Sequence, residues 1–112
     1  MQRSFSRADR LSAEIQRLFN SHLRLTIQNP TLKQSSITEI VVSKDLGSLT
    51  VYFTLSDSNS AKDVESEFNR SKGHFKKLIA DNLRMRRIPE VRFVYDKQRE
   101  QADRITELLS TL

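Results

Sequence analysis

Between Asn69 and Asp96 the chain sets the cations Arg70, Lys72, Lys76, Lys77, Arg84, Arg86, Arg87 and Arg92 against only Asp81, Glu90 and Asp96. A guanidinium offers a planar donor fork that matches a phosphate bidentately, and an ammonium is a mobile point charge. Apolar residues are interleaved with the charges (Phe75, Leu78, Ile79, Leu83, Met85), so the stretch can fold instead of remaining a solvated tail. A folded element with one basic face is the electrostatic footprint of a nucleic-acid binder. Arg3, Arg7 and Arg10 add a basic N-terminal arm. The candidate phosphate contacts are therefore Arg3, Arg7, Arg10, Arg70, Lys72, Lys76, Lys77, Arg84, Arg86 and Arg87. Ser71 and Gly73 sit among them, and Gly73 at the junction lets the backbone bend and approach a phosphate closely.

Catalytic chemistry finds no comparable grouping. The chain has no cysteine, which excludes a disulfide scaffold, a thiol nucleophile and a cysteine-based zinc site. His22 lies in an apolar stripe and reads as a packed histidine. His74 is far from it in sequence, and neither has metal-ligand spacing with a carboxylate cluster. No nucleophile elbow, phosphate-cradling glycine loop or dinucleotide fingerprint occurs. No enzymatic activity, metal or cofactor is expected. No apolar run approaches the roughly 20 residues that span a bilayer. Met1 to Arg7 carries charge with no apolar block behind it, so a cytoplasmic protein with no membrane partner is expected.

The positions of these cations depend on the elements that carry them. Leu11, Ile15, Leu18, Phe19, His22 and Leu23 follow helical spacing; Ser6 is a candidate N-cap and Asn29-Pro30 a stop, predicting a helix over Arg7 to Leu25. Ser36 to Ser43 and Leu49 to Leu55 read as strands of a hairpin, with Gly47 available for positive φ in the turn. Ser60 opens a second helix with Ala61, Val64 and Phe68 on its apolar edge. A third helix is predicted over His74 to Arg86, which would set Lys76, Lys77, Arg84 and Arg87 on one arc of roughly 100°. Ile88-Pro89 ends it. Val91 to Tyr95 is a third strand, and a last helix starts near Gln98. Tyr52, Phe53, Phe93 and Tyr95 read as core, because no RNA-stacking sheet motif surrounds them.

A length of 112 residues with a 37% apolar fraction and a net charge of +5 bounds this to one domain. Residues 1–6 are expected to be a flexible arm and 97–112 a C-terminal helical extension. The expected fold is α+β in the order α-β-β-α-kink-α-β plus the extra helix, with a three-stranded mixed sheet and its helices on one face. That is the order of type II KH domains, whose G-x-x-G loop clamps single-stranded RNA. Here the four positions are Arg70-Ser71-Lys72-Gly73, and the first glycine is missing.

The segment Leu83-Arg84-Met85-Arg86-Arg87-Ile88-Pro89-Glu90-Val91-Arg92-Phe93-Val94-Tyr95-Asp96 resembles the one that closes the domain in the ribosome-binding factor A family. Asn29-Pro30-Thr31-Leu32, the Val42-Ser43-Lys44-Asp45-Leu46 turn and Ser71-Lys72-Gly73 extend the likeness. The last replaces the family's Ala-x-Gly kink with Ser at its first position. The resemblance implies a non-enzymatic, monomeric assembly factor that binds the small ribosomal subunit and its rRNA. It further implies a role in late rRNA maturation, especially in the cold, with release by an assembly GTPase or a translation initiation factor. Two other readings stay open on the residues alone: a general KH-like single-stranded RNA binder, and a protein-docking module that pairs through its hairpin edge.

Overall fold

The computed structural model describes residues 6–56 and 60–111. The first helix, α1 (Arg7–Leu25), starts at a closed capping box: the Ser6 hydroxyl accepts from the Asp9 N–H and the Asp9 carboxylate from the Ser6 N–H, both at 3.1 Å. A single turn, α2 (Pro30–Lys33), follows; it was not apparent in the sequence and is nucleated by Asn29, whose side chain accepts from the Thr31 N–H.

The hairpin forms from β1 (Ser35–Val42) and β2 (Ser48–Leu55), paired antiparallel. Its turn departs from expectation. The residue with positive φ is Leu46, at 60°, and no glycine has positive φ. Two helices follow, α3 (Ala61–Arg70) and α4 (Lys72–Asn82), then β3 (Glu90–Tyr95), which pairs parallel to β2. The sheet order is β1-β2-β3, a mixed three-stranded sheet. The last helix, α5 (Lys97–Ser110), is capped by Asp96, which also accepts from the Thr38 hydroxyl at 2.7 Å.

Helices α1, α3 and α4 cover one face of the sheet, over Ile37, Ile40, Leu49, Val51, Phe53, Val91, Phe93 and Tyr95. Phe93 anchors this core. It stacks on Phe68 at 4.5 Å and meets Phe75 edge-on at 5.0 Å, and Phe75 in turn meets Phe19 at 5.0 Å. Three of the four strand aromatics are buried as expected. Tyr52 is half-buried on the opposite, open face. Helix α5 buries none of its residues, and its apolar Ile105, Leu108 and Leu109 are exposed.

Amide side chains from the helices close both edges of the sheet. On β1, where a bulge interrupts pairing between Ile37 and Glu39, the Asn20 side chain donates to the Ile37 carbonyl and accepts from its N–H. On β3, Asn69 bonds Phe93 in the same two-way fashion at 3.0 Å, and the Glu65 carboxylate accepts from the Tyr95 N–H. At these positions the backbone groups that would pair with another strand are already occupied.

The end of α4 is the main correction. The helix stops at Asn82, four residues before the expected Arg86. Leu83 is extended, and Leu83 and Met85 pack against the core while Arg84 and Arg86 are exposed. That alternation has a period of two, and the chain leaves the helix at Leu83 and bends at Arg86 and Arg87 before β3. Arg84 and Arg87 therefore do not share a helical arc with Lys76 and Lys77.

Candidate nucleic-acid interface

A single residue, Ser71, separates α3 from α4. Its φ of −95° and ψ of 9° leave α geometry, and its N–H is shared between the Glu67 and Phe68 carbonyls at 3.0 Å each. The bend attributed to Gly73 is thus made at Ser71. Gly73 lies in the first turn of α4, and a Cβ there would meet no heavy atom within 4 Å. Packing does not require glycine at this position, so the open backbone is its distinguishing property.

Around this junction the cations are exposed or half-buried. Arg70 reaches the Glu67 carboxylate at 2.9 Å, Lys77 reaches Asp81 at 2.8 Å and Lys76 reaches Glu90 at 3.0 Å. The hydrogen bond it donates to Asp81, and then the charge of that carboxylate, raise the Lys77 ammonium above its ordinary pKa. The hydrogen bond and charge of Lys76 hold the Glu90 carboxyl below the usual carboxylate range, with Lys72 adding to the effect. All three pairs face solvent, where a phosphate can compete for the cation.

A second group of cations lies at the hairpin turn. Arg7 from α1 and Arg86 and Arg87 from the bend before β3 line one cleft of about 520 Å³ with Asp45, Leu46 and Met85. The two groups are neighbours through Glu90, whose N–H donates to the Gly47 carbonyl while its side chain meets Lys76. Gly47 lies against Arg87: a Cβ on it would come within 3.1 Å of the guanidinium. The result is a ribbon from Lys72 and Lys76 past Glu90 and Gly47 to Arg87, Arg86 and Arg7.

Of the sequence-predicted contacts, this ribbon gathers Lys72, Lys76, Arg86, Arg87 and Arg7, with Arg70, Ser71, Gly73 and Lys77 at its helical end. Arg10 is exposed on the next turn of α1 and Arg84 is exposed just after α4; neither is among the residues that line the cleft. Arg3 lies outside the described residues.

One juxtaposition was not anticipated. The Nε2 atoms of His22 and His74 are 2.7 Å apart, with one ring donating to the other. Burial, and then the charge of His74, lower the pKa of His22. The pair rims a hollow of about 330 Å³ beside Ser71, walled by Ile27 and Leu32. It ties α1 to the first turn of α4. Among the described residues, no group of three or more His, Cys, Asp or Glu could hold a metal ion, and no helix is long and apolar enough to cross a membrane.

The element order, the mixed sheet backed by helices and the bent pair α3–α4 define a KH-like α+β module. The chain belongs to the ribosome-binding factor A family, whose pattern matches residues 7–109. It is 38% identical over 91 residues to ribosome-binding factor A of Francisella philomiragia, covering 81% of this chain and 64% of that protein's length. It is 36% identical to the Hydrogenovibrio crunogenus protein of the same name, covering 97% of this chain and 93% of the relative. The crystal structure of ribosome-binding factor A from Thermus thermophilus shares the fold with a TM-score of 0.70 at 21% identity, over 80% of this chain and 97% of that one. The Thermus thermophilus factor as fitted into the cryo-EM map of a 30S–RbfA complex superposes with a TM-score of 0.63 at 22% identity, over 79% of this chain and 93% of that one.

Proposed function

We propose that this protein is a non-enzymatic assembly factor that binds the small (30S) ribosomal subunit and assists late maturation of its 16S rRNA, including at low temperature. The observation that carries the reading is the continuous basic ribbon from α4 to the hairpin turn on a KH-like frame. Family membership supports it, as does the Thermus thermophilus relative's fit to a 30S complex. In this reading Arg3, Arg7, Arg10, Arg70, Lys72, Lys76, Lys77, Arg84, Arg86 and Arg87 contact rRNA phosphates, and Ser71 and Gly73 let the junction approach them. Phosphate contacts set position and affinity, while the shape of the rRNA sets the site. The protein acts as a cytoplasmic monomer, and an assembly GTPase or a translation initiation factor displaces it. A strand-adding docking module is disfavoured, because Asn20 and Asn69 each bond both backbone groups of an edge residue, Ile37 and Phe93, that an added strand would need. Deleting the gene should leave unprocessed ends on small-subunit rRNA and slow growth in the cold. Normal rRNA ends and normal cold growth in the deletion strain would refute the assembly role.

A further inference from the structure

We propose that the cleft between the start of α1, the β1–β2 turn and residues 85–87 holds one unstacked nucleotide of single-stranded RNA, with its phosphate on the arginines. The proposal rests on the RNA-binding reading above and assigns a subsite within it. Arg7, Arg86 and Arg87 come from two separate segments, yet all line the same cleft. Among the described residues Asp45 is the one carboxylate lining the cleft, against three arginines, and its Oδ1 accepts from the Ser43 hydroxyl at 2.7 Å and the Gly47 N–H at 2.9 Å. Those two hydrogen bonds, and then the charge of Arg87, hold its carboxyl below the ordinary carboxylate range. Among the described residues no ion pair within 4 Å engages Arg7, Arg86 or Arg87, whereas Arg70, Lys76 and Lys77 each have one. The cleft therefore keeps a net positive charge with donors free to reach an anion.

The walls add a second observation. Leu46 adopts left-handed backbone geometry, with φ of 60°. A branched side chain there costs on the order of 1 kcal/mol, and the adjacent Gly47 could take such a conformation without that cost. Leu46 and Met85 line the cleft beside the arginines. Gly47 leaves room for the Arg87 guanidinium, which a Cβ would crowd at 3.1 Å. Apolar side chains suit a base face, a guanidinium plane can stack on one, and arginine forks suit a phosphate. The volume falls in the range of roughly 300–1,000 Å³ usual for small-ligand sites.

Amide NMR on the full chain tests this, with adenosine 5′-monophosphate, adenosine, inorganic phosphate and the single-stranded tetranucleotide of adenosine as probes. The monophosphate should shift the Leu46, Gly47 and Arg87 amides saturably, and adenosine alone should not. The tetranucleotide should saturate the same amides at least tenfold lower in concentration. Arg86→Gln/Arg87→Gln should abolish these shifts while the α4 amides keep their positions as the control for folding. Three results would each overturn the proposal: no saturable shift at these amides, an equal response to inorganic phosphate alone, or a tetranucleotide that binds no tighter than the monophosphate. Binding of wild-type protein to small subunits, measured separately by co-sedimentation, decides the wider functional reading. If co-sedimentation persists without the nucleotide shifts, the subsite is wrong and that reading stands.

Discussion

Replacing Asp81 with Asn and Glu90 with Gln should tighten binding to the small subunit and make it more sensitive to salt. Each carboxylate engages one ammonium: Asp81 holds Lys77 at 2.8 Å and Glu90 holds Lys76 at 3.0 Å. In the wild type, Arg7, Arg10, Lys72, Arg84, Arg86 and Arg87 have no such partner among the described residues. With Lys76 and Lys77 neutralised by their carboxylates, these six cations give about six net phosphate contacts and a slope of log affinity against log salt near −4, at roughly −0.7 per contact on single strands. Freeing Lys76 and Lys77 should steepen it to about −5.5, and at 0.1 M salt should raise affinity about 25-fold. Both carboxylates are exposed and neither is a buried partner, so the fold should be unaffected. Fluorescence anisotropy of labelled protein against purified small subunits, between 0.05 and 0.3 M potassium chloride as roughly the accessible window, measures both quantities. Glu39→Gln/Glu107→Gln removes the same charge from the open sheet face and from α5, and should change little. An unchanged slope in the first variant, or an equal gain in the second, would refute the assignment of the ribbon as the contact surface.

Other expectations follow from single positions. Gly73→Ala should leave thermal stability unchanged or raise it by roughly 0.5–1 kcal/mol, since a helical Ala is favoured over Gly and nothing crowds its Cβ. The same variant should weaken subunit binding if the backbone there touches a phosphate; unchanged binding would remove Gly73 from the interface. Phe68→Ala should cost about 3–5 kcal/mol by chemical denaturation, because the fully buried ring stacks on Phe93; a loss under about 1 kcal/mol would contradict the packing described. His22 has a lowered pKa when folded, so the unfolded chain takes up its proton first. Its contribution to stability is present above its ordinary pKa of 6.5 and is lost as pH falls towards the folded value. Between about pH 7 and 5.5 the melting temperature of the wild type should fall more than that of His22→Gln, and parallel curves would sink this reading.

Elements with a strong local signature were legible in the sequence. The stripe from Leu11 to Leu23, the Ser6 cap and the Asn29-Pro30 stop together bounded α1. The β-branched runs around Gly47 marked the hairpin. Competing periods hid the end of α4: Leu83 and Met85 continue a helical wheel from Phe75 and Ile79, but equally fit the alternation of an extended chain. Asn82, whose side chain bonds the Leu78 carbonyl, was the available stop signal. The turn was misread because glycine is the cheaper residue at positive φ, yet Leu46 adopts it. The candidate site was legible as a list of cations and not as a surface. The cleft joins residues from α1, the hairpin turn and the segment before β3, and His22 meets His74 across 52 positions. No spacing within one segment encodes either meeting.

Sedimentation of the purified protein through a sucrose gradient with separated ribosomal particles tests the ribosomal role most directly. The wild type should travel with free small subunits and be absent from assembled ribosomes, while a folded Arg86→Glu/Arg87→Glu variant should remain at the top. Wild-type protein that stays at the top, or a charge-reversed variant that travels with the subunits as well as the wild type, would contradict a basic ribbon built to grip rRNA.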